Sequence, residues 1–190
     1  MAKKKQNNQM ALILNVVVIV LAILTVVTLF MPIFKRATIL GDTETLAVSA
    51  KGLDCFTAAF NGEVNLADFT DGANMLIGLR VAEEGAFIAD VMIWGYILTV
   101  IVAVATLVFA VLGLLGMKFN MITKVLGGAL VVLALVTLVF GLIAAGKNTE
   151  LTEVLGKKNG PKATLMVAGW LMIASIVAGG TAVCGSMRKW

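Results

Sequence analysis

MALILNVVVIVLAILTVVTLFMPI, Met10 to Ile33, is the stretch whose reading decides the fold. It holds no Asp, Glu, Lys or Arg, and the uncharged run around it extends from Gln6 to Phe34. A helix rising about 1.5 Å per residue over this length spans about 35 Å, enough to cross a hydrocarbon layer of about 30 Å. A basic start (Lys3, Lys4, Lys5) before an apolar run also describes a secretory signal peptide. This run outlasts the usual apolar region of about 7–15 residues, and it leaves through Met31-Pro-Ile-Phe-Lys-Arg36 with no small-x-small cleavage site. It reads as a retained anchor, with Pro32 ending or kinking the helix at the exit.

Working outward, the pattern repeats. Further uncharged runs occupy Val91–Met117, Val125–Gly146 and Ala163–Met187. The chain is 60% hydrophobic and 14% charged, with a mean hydropathy of +1.01. Soluble domains have about 45–50% apolar and about 25% charged residues. The expected fold is an all-α membrane protein, a bundle of four transmembrane helices with a small α+β extracytoplasmic domain between helices 1 and 2. The expected partition is a cytoplasmic N-terminus (1–9), TM1 (10–33), the extracytoplasmic domain (34–90), TM2 (91–117), a cytoplasmic turn (118–124), TM3 (125–146), an extracytoplasmic loop (147–162), TM4 (163–187) and a cytoplasmic C-terminus (188–190). Lys118 to Lys124 is short enough to make TM2 and TM3 a tight antiparallel hairpin. In 147–162, Glu150, Leu151, Glu153, Val154 and Leu155 fit one amphipathic helical turn, and Gly160-Pro161 opens the last span, where a proline costs little.

Orientation follows from Lys and Arg at the span ends. With the N-terminus inside, seven bases lie inside (Lys3, Lys4, Lys5, Lys118, Lys124, Arg188, Lys189) and eight outside (Lys35, Arg36, Lys51, Arg80, Lys147, Lys157, Lys158, Lys162). The seven are concentrated in short flanks, and the first helix usually dominates, so both termini are expected in the cytoplasm. Labelling of Cys55 in intact cells is the obvious probe of that assignment. Bases placed this way are topology and headgroup charges, so the net +4 is no sign of nucleic acid.

The insert 34–90 has four bases against nine acids, a net of −5. Thr38-Ile-Leu40 and Thr45-Leu-Ala-Val48 flank Gly41-Asp-Thr-Glu44 and predict a hairpin. Leu53, Cys55, Phe56, Ala59 and Phe60 fit one face of a short helix closed by Asn61-Gly62. Met75–Val81 is apolar enough for a strand or for a helix, and so short a run does not decide between them. A domain of this size is marginal alone and gains stability from the ends of the spans.

Chemistry is sparse. The chain has no His, which removes the commonest general base and metal ligand. It has two cysteines, Cys55 and Cys184, expected on opposite sides of the membrane; Cys55 reads as a packed thiol, with an intermolecular disulfide as the alternative. Asp68, Asp71 and Asn74 gather oxygens around Gly72, but the spacing departs from an EF-hand and suits a solvated turn better. No nucleophile motif or phosphate loop is present, so neither an enzyme nor a cofactor is expected. The predicted spans lack ionisable groups, which disfavours a self-sufficient coupled transporter. Small residues recur in them instead: Gly95, Thr99 and Ala103; Gly141 and Ala145; Ala174, Ala178 and Ala182 beside Ser175 and Gly179. Such spacing lets helix backbones approach, within the bundle or against a homo-oligomer copy or another membrane protein.

The four spans and large first outer loop resemble the claudin-like proteins in outline. The claudin loop motif is absent, since no Trp precedes Trp94 and Cys55 is the loop's sole cysteine. Leu46-Ala-Val-Ser49, Gly52-Leu-Asp54 and Phe60-Asn-Gly62 make the loop more similar to poorly characterised four-span bacterial membrane proteins with a folded first extracytoplasmic loop. That resemblance implies a bacterial plasma membrane and brings no activity with it. The absence of any Asn-x-Ser/Thr acceptor agrees with it. The expected function is non-enzymatic binding or assembly through the outer domain, in contact with the lipid bilayer and not with nucleic acid. The alternatives are an accessory subunit of a membrane transport or export assembly and a self-assembling pore.

Overall fold

The computed structural model describes residues 2–40, 43–60, 71–81, 86–115, 117, 119–149, 152–154 and 157–187. Four helical stretches are long and apolar enough to cross a membrane: Gln9–Phe30, Ala86–Leu114, Met121–Lys147 and Val167–Gly185. The first belongs to α1 (Ala2–Val27) and a 3-10 turn (Thr28–Phe30), the second is α4 (Ala86–Leu114), and the third lies in α5 (Asn120–Lys147). The fourth comprises α6 (Val167–Trp170) and α7 (Met172–Met187). Leu12, Ile13, Val16, Val20 and Ile23 of α1 are exposed. Water would not tolerate such a surface; lipid does. A small strand-containing region stands between the first two of these spans, so the expected fold class holds.

The second and third helices start before the sequence boundaries, at Ala86 and Asn120, whereas the first gives way to a strand at Pro32 and the last begins only at Val167. α4 has 29 residues, about 43 Å at about 1.5 Å each, against about 30 Å of hydrocarbon. Its start at Ala86 brings Asp90 into the helix.

The chain forms two compact units. One comprises Met1–Val27, Leu98–Leu135 and Leu171–Trp190 and is purely helical in its described parts. Its interior is small side chains at helix crossings. Val18, Ala110 and Ala182 form one cluster, with Ile19 packed on it. Ala103, Leu130 and Ala178 form another, flanked by Leu21 and Val102.

The other unit, Thr28–Ile97 with Val136–Trp170, holds the sheet. β1 (Pro32–Leu40) and β2 (Thr43–Lys51) make the expected hairpin, with longer arms than the turn signals suggest. Thr43 and Glu44 lie in β2, and Gly41-Asp42 falls outside the described residues. Pairing between β1 and β2 shifts register twice, between Pro32 and Phe34 and between Arg36 and Thr38. α2 (Gly52–Phe60) follows β2 without a linker, and α3 (Gly72–Val81) resolves the ambiguous run as a helix. Met75, Leu76, Ile77 and Leu79 of α3 are all buried. Covered on several sides, that helix has no amphipathic period to betray it.

The second connection departs furthest from expectation. In place of a helical turn, 152–154 is strand β3 (Thr152–Val154), and Lys157–Leu165 is strand β4. Glu150, Leu151 and Leu155 lie outside the described residues. The sheet order is β2-β1-β4-β3, and β4 runs antiparallel to β1 from Phe34↔Leu165 to Leu40↔Asn159. Gly160-Pro161 therefore sits inside a strand and does not open the last helix, and Ala163 to Leu165 belong to β4. The backbone of β1 needs a hydrogen-bonding partner on its second edge, and β4 supplies one despite its polar sequence. Pro161 is tolerated because β3 pairs with β4 only from Lys157 to Asn159, so its missing N–H falls beyond that ladder. Gly160 has φ 135°, a conformation that side chains resist.

Candidate functional site

The polar chemistry of the described residues is concentrated where the strands meet the helices. Gly52 is the joint. Its N–H donates to the Met31 carbonyl at 3.2 Å, tying the end of β2 to the end of the first span. A side chain there would run into the Tyr96 hydroxyl, with Leu29 Cα at 2.6 Å and the Thr28 carbonyl at 2.7 Å. Tyr96 is buried in α4, and its hydroxyl hydrogen-bonds that of Thr28 at 2.9 Å. Met166 N–H donates to the Ile33 carbonyl at 2.7 Å, fixing the exit from β4 against the entry to β1.

Arg80, in the last turn of α3, forms a second junction. Its Nε donates to the Asp90 carboxylate of α4 and its Nη1 to the Ala58 carbonyl at the end of α2. One guanidinium therefore holds three helices, a task its planar fork of donors suits better than the single point of an ammonium. On the sheet, Lys35 pairs with Glu44 across the hairpin. The hydrogen bond from Lys35, then its charge, holds the Glu44 carboxyl below the usual value, and Lys162 adds to the same field. Thr149 closes the outer edge of β4, its hydroxyl accepting from Ala163 N–H at 3.0 Å and lying 2.8 Å from the Ala145 carbonyl.

Cys55 is 1% exposed. Burial pushes its thiol well up from the usual range, and the charge of Asp54 adds to the shift. A sulfur so placed does not meet a partner's sulfur without local opening, and it does not report sidedness to a labelling reagent either. Thr43, exposed on β2, is the position a labelling reagent can reach. Cys184 is exposed.

The predicted helix face of α2 is also corrected. Gly52, Cys55 and Ala58 are buried, whereas Leu53 and Phe60 are exposed. Asn61-Gly62 and Asp68 fall outside the described residues. Asp71 accepts the Met75 N–H through its backbone carbonyl at the start of α3. Among the described residues no three metal-ligating side chains come together.

The small-residue candidates sit at crossings within the chain. Gly95 lies against α5, where a built side chain would meet Thr137 Oγ1 at 2.8 Å. Gly141 faces Leu165 and Met92, and Ala145 is buried. Thr99 and Ala103 are fully buried on α4. Ser175 shares a hydrogen bond of 2.8 Å with Thr25, joining α7 to α1. Gly179 and Gly127 lie close together, and a Cβ on Gly127 would come within 2.7 Å of the Gly179 carbonyl. Ala178 and Ala182 are buried beside it, and Ala174 is partly covered. Sequence reasoning missed Gly52, Tyr96 and the Arg80–Asp90 pair. The available signals were a glycine between a strand pattern and a helix pattern, the chain's one tyrosine inside an apolar run, and an acid at a span boundary.

These features define an integral membrane protein whose four apolar helices are joined to a small antiparallel sheet. No protein-family model, curated protein or solved structure matches the chain.

Proposed function

We propose that this is a non-enzymatic, multi-pass protein of a bacterial plasma membrane, related to four-span proteins with a folded first outer loop. Both termini lie in the cytoplasm, and the sheet is presented on the extracytoplasmic side for binding or assembly. One observation carries this reading: both polar connections, 34–90 and 147–162, contribute strands to a single sheet. Loops that merely link spans have no need of a shared ladder. A preformed surface does, since ordering it beforehand lowers the cost of binding. Its charge is divided. The strands carry Lys35, Arg36, Lys51, Lys157, Lys158 and Lys162 against Glu44 and Glu153, and the acidic excess of the insert comes from the segment after α2. In sequence, then, the strands are the basic part of the outer region and the segment after α2 its acidic part.

Affinity capture from membranes in mild detergent, followed by mass spectrometry and mass measurement of the complex, tests the reading. A homo-oligomer or a stoichiometric membrane partner supports it. A monodisperse monomer with nothing bound argues for a bare scaffold and against it. Reproducible recovery of a membrane ATPase moves the assignment to an accessory transport subunit. Labelling of Thr43→Cys in intact cells tests the sidedness, and protection there until lysis reverses it.

A further inference from the structure

α2 lies outside the four spans, yet its uncovered side is apolar. Leu53 and Phe60 are 46% and 70% exposed. With half-buried Phe56 between them they stand at i, i+3 and i+7, so one side of this 9-residue helix is Leu-Phe-Phe with Thr57 as its polar member. The one charge of the helix, Asp54, is turned back to accept the Lys51 N–H at 2.7 Å. The neighbour of Phe60 tells which solvent meets this side. Phe60 packs edge-on against Trp94, ring centroids 5.6 Å apart and planes at 81°. Trp94 belongs to α4 and stands in a line of exposed side chains, Phe87, Trp94, Leu98 and Ile101, on a helix built to cross a membrane. That line faces lipid. Phe60 is continuous with it, and tryptophan, an apolar ring with one N–H, favours the boundary between acyl chains and headgroups.

We propose that α2 is an interfacial helix: its Leu53–Phe56–Phe60 side is seated in the headgroup boundary of the bilayer that α4 crosses, and the Phe60–Trp94 pair marks the depth of that boundary. The partner of this surface is lipid, held by apolar burial along a helix lying against the membrane. The proposal rests on α4 being a span and goes beyond the binding role of the sheet.

Spin labels test it in the full chain carrying Cys55→Ala and Cys184→Ser, reconstituted in phosphatidylcholine vesicles. Labels are placed one at a time at Leu53→Cys and Phe60→Cys, with Leu98→Cys as the lipid reference and Thr43→Cys as the water reference. Collisions with oxygen are expected to exceed those with a water-soluble nickel chelate at both α2 positions, as at Leu98, with the opposite order at Thr43. A water pattern at Leu53 and Phe60 overturns the proposal, and so does low access to both reagents, which means that protein covers the helix. A water pattern at Leu98 overturns the span and the proposal together. Because the Cys55 substitution enters a buried site, Phe60→Trp in a Trp94→Phe, Trp170→Phe, Trp190→Phe chain with both cysteines retained gives a second measurement. Quenching by shallow brominated lipid several-fold stronger than by iodide is expected, and the reverse order refutes the placement.

Discussion

Gly52 shows how much a single missing side chain decides. The backbone leaves β2 and enters α2 at this residue, pressed against Leu29, Thr28 and Tyr96. Two of those neighbours are main-chain atoms and do not rotate away, so Gly52→Ala forces the joint apart. A cost of about 1–3 kcal/mol is expected for such overpacking, read as a lowered thermal midpoint in mild detergent, with Gly128→Ala, where nothing lies near, as the neutral control. Cys55 gives a prediction with a sign. Its thiol stays protonated in the fold, whereas an unfolded thiol ionises near 9.0. The folded value is raised, so the unfolded chain loses its proton first and stability falls as pH rises above that point. Between pH 8 and 10 the native chain should lose about 1 kcal/mol more than Cys55→Ala, at about 1.4 kcal/mol per pH unit. In the folded protein a maleimide should modify Cys184 and spare Cys55. The sequence hinted at a packed thiol but not at the close approach of Gly52, because nothing local distinguishes a glycine at a turn from one against a tyrosine of another helix.

At the scale of elements, what could be read depended on where each partner lies in the chain. The hairpin of β1 and β2 was visible because its partners are adjacent and its turn residues sit between them. The spans were visible because a bilayer imposes length and apolarity on each helix by itself. β4 was not visible. Lys157-Lys-Asn-Gly-Pro-Lys162 has no apolar alternation, and its strand character comes from β1, far away in sequence. α3 was ambiguous for the opposite reason, since burial on several sides erases its period. The β1–β4 register has a direct test. Lys35 and Thr164 are paired, and opposed Cβ atoms in a sheet lie about 4.5–5.5 Å apart, close to disulfide reach. In a chain with Cys55→Ala and Cys184→Ser, the pair Lys35→Cys with Thr164→Cys should cross-link under mild oxidation, whereas Thr38→Cys with Thr164→Cys should not. Equal cross-linking of the two pairs would contradict the ladder. The Arg80 junction is tested by Arg80→Ala, which leaves the Asp90 carboxylate and the Ala58 carbonyl without this donor. A loss of about 1–3 kcal/mol is expected, partly recovered in Arg80→Lys, again by thermal unfolding.

At the scale of the molecule, the insert is not a domain in its own right. Its sheet takes a strand from the second connection, and its helices rest on Tyr96 and Asp90 of α4. A fragment covering 34–90 alone therefore lacks β4, the Thr28 hydroxyl and Tyr96, and should be unfolded in water by circular dichroism and rapidly proteolysed. The sequence reading anticipated the dependence on the spans but missed the borrowed strand.

That borrowed strand sets a timetable. A ribosome makes β1 early and β4 about 120 residues later, which at 5–20 residues per second is a delay of about 6–24 s. Through that interval β1 lacks the partner of its second edge, and the sheet waits on a segment that the chain itself supplies late. Completion of the sheet thus records that the third span has been made and the second connection delivered. A chain stalled or misinserted before Lys157 keeps the edge open, in a form that quality-control proteases and chaperones can tell from the finished protein.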